Sequence, residues 1–159
     1  MSRAETYEEV RRQALSVLDG EPDLTARMAT VTCLLAGAFP DNNWTGFYVV
    51  DPLRPDELVV GPYQGGLGCL RIAFGRGVCG TAAASGESQV VEDVHAFPGH
   101  IACDAASRSE IVVPVRGRGG ALVGVLDIDS PEEGTFGAVD REALEGLVAA
   151  VFGGGASCS

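Results

Sequence analysis

EIVVPVR (110–116), the turn GRGG (117–120) and ALVGVLDID (121–129) decide the fold. Two apolar runs rich in β-branched residues, joined by glycines, read as an antiparallel hairpin. Asp127 and Asp129 stand two apart on the second strand, so both side chains leave the same face. Val125, Leu126 and Ile128 around them are expected to be buried. Two like charges side by side on a strand are unfavourable unless a cation, a metal or a shared proton uses them. The plainer alternative is a solvated face at the strand's end. Glu110 opens the neighbouring strand and is placed to join the pair across the sheet.

Working outward, TGFYVVD (45–51) and ELVVGPY (57–63) read as strands flanking the Pro-rich loop DPLRPDE, and LRIAF (70–74) and SQVVEDV (88–94) as further strands. GVCGTAAASGE (77–87) is rich in small residues and predicts a short helix ended by Gly86. Upstream, residues 5–19 form an amphipathic helix through Val10, Ala14, Leu15, Val17 and Leu18, with Gly20 as its C-cap. Asp23 caps a second helix, on which Leu24, Met28, Val31 and Leu35 recur at helical spacing. Cys33 lies there among apolar neighbours and reads as a buried, inert thiol. FGAVDREALEGLVAAVF (136–152) predicts a closing helix with Phe136, Val139, Leu144, Leu147, Val148 and Val151 on its apolar side. The organisation is a single α+β domain: two N-terminal helices within 5–39, sheet and loops within 44–129, the C-terminal helix 136–152, and a flexible tail 153–159. The antiparallel sheet is expected to carry helices packed on one face.

The chain has 159 residues, 46% hydrophobic and 21% charged, with a mean hydropathy of +0.17, which suits one globular domain rather than a disordered chain. Eleven basic against 22 acidic residues give a net charge of −11, a field that repels a phosphate backbone and argues against a nucleic-acid partner. All basic residues are Arg; without Lys, Schiff-base chemistry and a phosphate-loop lysine are excluded. No apolar run approaches the roughly 20 residues a membrane span needs, and the charged N-terminus has no secretory core. The expected location is cytoplasmic. Five cysteines then need a reason: structural disulfides are rare there, and an odd number cannot pair fully within one chain. Cys158, in the tail, reads as incidental.

Polar features gather between residues 63 and 110, where Cys69, Cys79, Cys103, His95, His100 and many glycines share loop-like stretches. Cys79 opens the small-residue helix and Cys103 shares its stretch with Arg108; a helix N-terminus or a nearby Arg is the setting that lowers a thiol's pKa. A zinc site assembled from these cysteines and histidines lacks the close ligand pairs of structural zinc modules. A redox or nucleophilic role fits the cluster better, against the alternatives of metal binding or simple packing. A carboxylate cluster beside thiols suits a reaction that protonates an oxygen while a sulfur attacks. For His95 and His100, flanking Phe97-Pro98-Gly99, a structural hydrogen-bonding role is expected. Trp44 and Tyr48, four apart around a strand, share one side of the sheet and are placed either in the core or on a pocket wall.

The segments NWTGFYVVD (43–51), GPYQGGLGCLRI (61–72), GRGVCGTA (75–82), VEDVHAFPGHIACDAASRSEIVVPV (91–115) and GVLDIDS (124–130) resemble those of the free methionine-(R)-sulfoxide reductases, a family of GAF-domain enzymes. The resemblance runs from about residue 7 to 152. Generic GAF domains share the GVL strand but not this trio of cysteines with HIACDAASRSEI. The resemblance implies a GAF-like fold, a six-stranded antiparallel sheet backed by helices with a small enclosed pocket over its other face, and a homodimer. It implies Cys103 as nucleophile, Cys69 as the cysteine that resolves the intermediate as a disulfide, and Cys79 as an alternative partner or relay. It carries the family's carboxylates onto Glu110, Asp127 and Asp129, and its pocket aromatics onto Trp44 and Tyr48. The implied reaction is reduction of free L-methionine (R)-sulfoxide through a cysteine sulfenic acid, reset by thioredoxin, with no metal and no organic cofactor. Glu110 with Asp129 is assigned to the sulfoxide oxygen and Asp127 to the substrate ammonium. The rival reading is a GAF sensor that binds a small molecule or reads redox state without turnover.

Overall fold

The computed structural model describes residues 1–100 and 105–154; Cys103 and Cys158 lie outside the described residues. Two helices come first, α1 (Arg3–Val17) and α2 (Leu24–Ala38). Ser2 and Glu5 close a reciprocal capping box on α1, and the Asp23 carboxylate accepts the Ala26 N–H at 2.9 Å on α2. Strands β1 (Trp44–Asp51), β2 (Arg54–Gly65) and β3 (Arg71–Ala73) precede a short helix α3 (Gly77–Ser85). Strands β4 (Gln89–Val91), β5 (Ser109–Arg116) and β6 (Leu122–Ser130) and the last helix α4 (Ala138–Phe152) follow.

The strands form one six-stranded sheet in the order β3-β2-β1-β6-β5-β4, every neighbouring pair antiparallel. Period-2 alternation divides its residues between two cores. Phe47, Ile111, Val113, Leu126 and Ile128 face α1, α2 and α4 and pack with Tyr7, Val10, Met28, Val31, Leu144 and Leu147. Trp44, Tyr48, Leu58, Val112 and Val125 face the other way, where α3 covers part of the sheet with Val78, Cys79 and Ala82. The three long helices therefore share one face, as expected, while α3 lies on the opposite one.

Several boundaries differ from the sequence reading. The Pro-rich segment is not all loop: β2 starts at Arg54, and Asp51 pairs with Arg54 past a bulge. Backbone pairing continues there although the side chains are polar. Leu18, not Gly20, caps α1, while Leu15 and Val17 point to solvent. Leu24 is half-exposed at the start of α2, and Cys33 is exposed rather than buried. Phe136 is buried but precedes α4, and Val139 is 48% exposed. Gly86 does end α3, in a left-handed conformation with φ +72°.

Candidate active site

The site grows out of the register of three strands. Trp44 on β1 pairs with Asp129 on β6, which pairs in turn with Glu110 on β5. One row along, Gly46 pairs with Asp127, and Asp127 with Val112. All three carboxylates therefore leave the face that carries Trp44 and Tyr48. With no side chain at Gly46, Trp44 and Tyr48 stack across the gap at 5.4 Å between ring centroids, and Tyr63 also stacks on Trp44 at 4.9 Å.

Over this face lies a pocket of about 480 Å³, the open solvent at its mouth included. Trp44, Tyr48, Cys79, Glu110, Asp127 and Asp129 line it, all at most 9% exposed. The sheet supplies five of these and the first turn of α3 supplies Cys79. The Asp pair is therefore not a solvated strand end.

Burial governs the electrostatics. Burial, and after it the charge of Asp127, pushes the Glu110 carboxyl well above the ordinary carboxylate range. Asp127 is pushed up in the same way, by burial and then by Asp129. The Cys79 thiol donates to Glu110 Oε2 at a long 3.9 Å, and burial followed by the charges of Asp127 and Glu110 raises its pKa far above that of a free thiol. The helix N-terminus was expected to lower it; desolvation and three carboxylates outweigh that end of a nine-residue helix. Cys79 is a neutral thiol that keeps its neighbours company as a weak donor. Tyr48 is likewise pushed up by burial, then by Asp127.

The GGLGC loop is fastened to the aromatic stack. The Trp44 indole N–H donates to Gly66 O at 3.1 Å, and the Tyr48 hydroxyl oxygen accepts the backbone N–H of Cys69. Gly68 lies flat on both rings: a Cβ there would sit 2.9 Å from Trp44 Cζ2 and 3.0 Å from the Tyr48 hydroxyl. Cys69 packs against the same apolar cluster and is disulfide-bonded, whereas Cys33 and Cys79 are free and are not its partners. Cys103 lies outside the described residues.

Sequence reasoning missed part of the wall. Arg76, His100, Ser107 and Leu67 also line the pocket. Arg76 stands immediately before α3, a position that could have flagged it. Ser107 receives the Asn43 side-chain N–H at 3.1 Å, a contact 64 residues distant in sequence and invisible to local pattern. His100, expected to be structural, has its ring 6.3 Å from that of His95, and burial, then the charge of His95, lowers its pKa. Arg108, read as a neighbour of the Cys103 thiol, pairs with Glu133 at 2.9 Å on the surface.

Comparison with known proteins places these features in a family. A GAF-domain family model matches residues 23–151. Free methionine-R-sulfoxide reductase of Escherichia coli (strain K12) is 47% identical over 149 residues, 94% of this chain and 88% of that protein. The protein of the same name from Saccharomyces cerevisiae is 40% identical over 151 residues, 92% and 84% of the two chains. Among solved structures, the X-ray structure of free methionine-R-sulfoxide reductase from Neisseria meningitidis in complex with its substrate superposes with a TM-score of 0.89 at 47% identity, covering 95% of this chain and 89% of that one. Among the described residues no helix is long and apolar enough to cross a membrane.

Proposed function

The chain belongs to the GAF-domain family and, within it, to the free methionine-R-sulfoxide reductases, and from that premise we propose that it reduces free L-methionine (R)-sulfoxide to L-methionine by thiol chemistry. The supporting observation is the buried carboxylate triad beneath an aromatic wall, next to cysteine-bearing loops. Cys103 is the proposed nucleophile. Its thiolate attacks the sulfoxide sulfur, the oxygen gathers negative charge, and the proton that neutralises it comes from Glu110, whose carboxyl burial pushes well above the ordinary range and which is paired in register with Asp129. The S–O bond transfers its oxygen to Cys103 as a sulfenic acid and the thioether leaves. The Cys69 thiol then displaces the hydroxyl as water and closes a disulfide, which a dithiol protein of the thioredoxin class reduces by exchange.

Recognition follows from the same wall. The substrate ammonium brings the positive charge the triad lacks and lets Asp127 ionise against it. Trp44, Tyr48 and Ile72 enclose the thioether chain, and the carboxylate is directed to the side bearing Arg76 and His100. A pocket that uses both charged termini of a single amino acid has no room for a peptide chain, so methionine sulfoxide within a protein is excluded. The working unit is proposed to be a homodimer, and no metal or organic cofactor takes part.

The test is turnover of free L-methionine (R)-sulfoxide, the (S)-sulfoxide and an N-acetylated (R) analogue with dithiothreitol. Turnover of the free (R) form alone is expected. Equal turnover of the acetylated compound removes Asp127 as the ammonium site, and no turnover by fully reduced protein leaves a sensor module as the reading.

A further inference from the structure

The mechanism uses Cys69 and Cys103 but leaves the Cys79 thiol idle, buried inside the pocket it helps to line. Cys79, Glu110 and Asp127 each offer one donor atom, and the three atoms lie within 4.8 Å of one another. Cys79 Sγ and Glu110 Oε2 are 3.9 Å apart. Around tetrahedral zinc, with Zn–S about 2.3 Å and Zn–O about 2.1 Å, those two atoms would be about 3.6 Å apart, so a few tenths of an ångström of side-chain movement bring them together. A second observation points into the same space. Asp127 is 4% exposed, yet its Oδ1 is buried with no hydrogen-bond partner among the described residues. A buried carboxylate oxygen without a donor is an open ligand position.

We propose that the reduced protein binds one soft divalent cation, of the zinc and cadmium class, through Cys79 Sγ, Glu110 and Asp127, and that this cation excludes the sulfoxide. The donor set decides the class. One thiolate with two carboxylates favours zinc or cadmium over magnesium and calcium, which take oxygen ligands and more of them. On binding, the Cys79 S–H proton goes to solvent together with any proton held by Glu110 or Asp127, whose carboxyls burial pushes up, and no electron is transferred. The competition with substrate rests on the proposed function, because the cation would occupy the position given there to the substrate ammonium. Cation binding itself does not rest on it.

Cobalt(II) titration of the reduced, substrate-free protein tests the site, since thiolate ligation produces a sulfur-to-cobalt charge-transfer absorption that carboxylates alone do not. One equivalent is expected to bind with that absorption, and zinc is expected to displace it. Cys79→Ala is expected to abolish the absorption and weaken binding by about 100-fold or more, a loss that outer-shell changes alone can reach. Asp127→Asn, which keeps the thiol and the side-chain volume, is expected to weaken binding while retaining the absorption. Absence of stoichiometric binding overturns the proposal. So does an absorption that survives Cys79→Ala but is lost in Cys69→Ala or Cys103→Ala, which would put the metal on the loop thiols. An active enzyme that binds no cobalt refutes the cation site alone, whereas cobalt binding by a protein without sulfoxide turnover refutes the proposed function alone. Zinc inhibition is expected to be competitive with the sulfoxide; inhibition unrelieved by substrate would remove the shared position.

Discussion

Cys69 and Cys79 differ in their surroundings more than in their place in the sequence. Cys69 sits on a loop tethered through its backbone N–H to Tyr48, while Cys79 sits on the buried side of α3 with a strongly raised pKa. Cys69→Ser is therefore expected to release about one equivalent of methionine and then stall with thioredoxin, whereas Cys79→Ala is expected to keep cycling. The reverse pattern, read by methionine release per enzyme, would make Cys79 the resolving thiol. Gly68→Ala tests the tether: its methyl group must push the loop off Trp44 and Tyr48, and disulfide closure is expected to slow about 10- to 100-fold, the scale of an ångström-sized misplacement. Rapid-quench thiol counting measures that step. The common face of Asp127 and Asp129 was legible from spacing alone, since it needs only the period of a strand. The raised pKa of Cys79 was not, because the carboxylates responsible arrive from β5 and β6, 31 or more residues away. The exposure of Cys33, expected to be buried, follows from helix geometry: two residues past buried Val31, it lies about 200° around the helix.

Elements are joined at a few polar knots, among them the buried Asp140 at the start of α4. It accepts the Tyr7 hydroxyl at 2.6 Å, Arg3 Nε at 2.5 Å and the Gly137 N–H at 2.9 Å, so one carboxylate caps α4 and locks α1 against it. Asp140→Ala leaves those donors unmatched and is expected to cost about 2–3 kcal/mol, the range for hydrogen bonds to a charged group. Tm should fall by roughly 5–10 °C for a domain of this size, while Tyr7→Phe should cost about 1 kcal/mol. An unchanged Tm for Asp140→Ala would show that apolar packing alone holds α1 in place. The helices and the 110–129 hairpin could be read from caps, turn glycines and periodicity, because those signals are local. The true start of β2 could not, since Arg54 pairs with Asp51 past a bulge while the side chains of Arg54, Pro55 and Asp56 look like loop. Nor could sequence give the side of the sheet taken by α3, which depends on where the chain crosses after β3.

At the scale of the molecule, the pocket is a local deficit of stability in an already acidic protein. Glu110 and Asp127 have raised pKa values in the fold, so below the ordinary carboxylate range both folded and unfolded chains hold those protons equally. As pH rises above about 4 the unfolded chain releases them first, and stability falls until the folded groups ionise too. Thermal melts of the substrate-free protein are expected to show this decline. Glu110→Gln should melt higher than the parent at neutral pH and converge with it near pH 4, even as it loses turnover; a parallel offset at every pH would place its effect in packing instead. The three long helices complete a full core on the other face of the sheet, which lets the pocket face bear this cost without unfolding the domain. Trp44 is the chain's single tryptophan, and its indole N–H is bound to a carbonyl of the loop that carries Cys69. Its fluorescence is therefore a built-in optical gauge of that loop, and each passage between dithiol and disulfide should register as a change in emission without any added label.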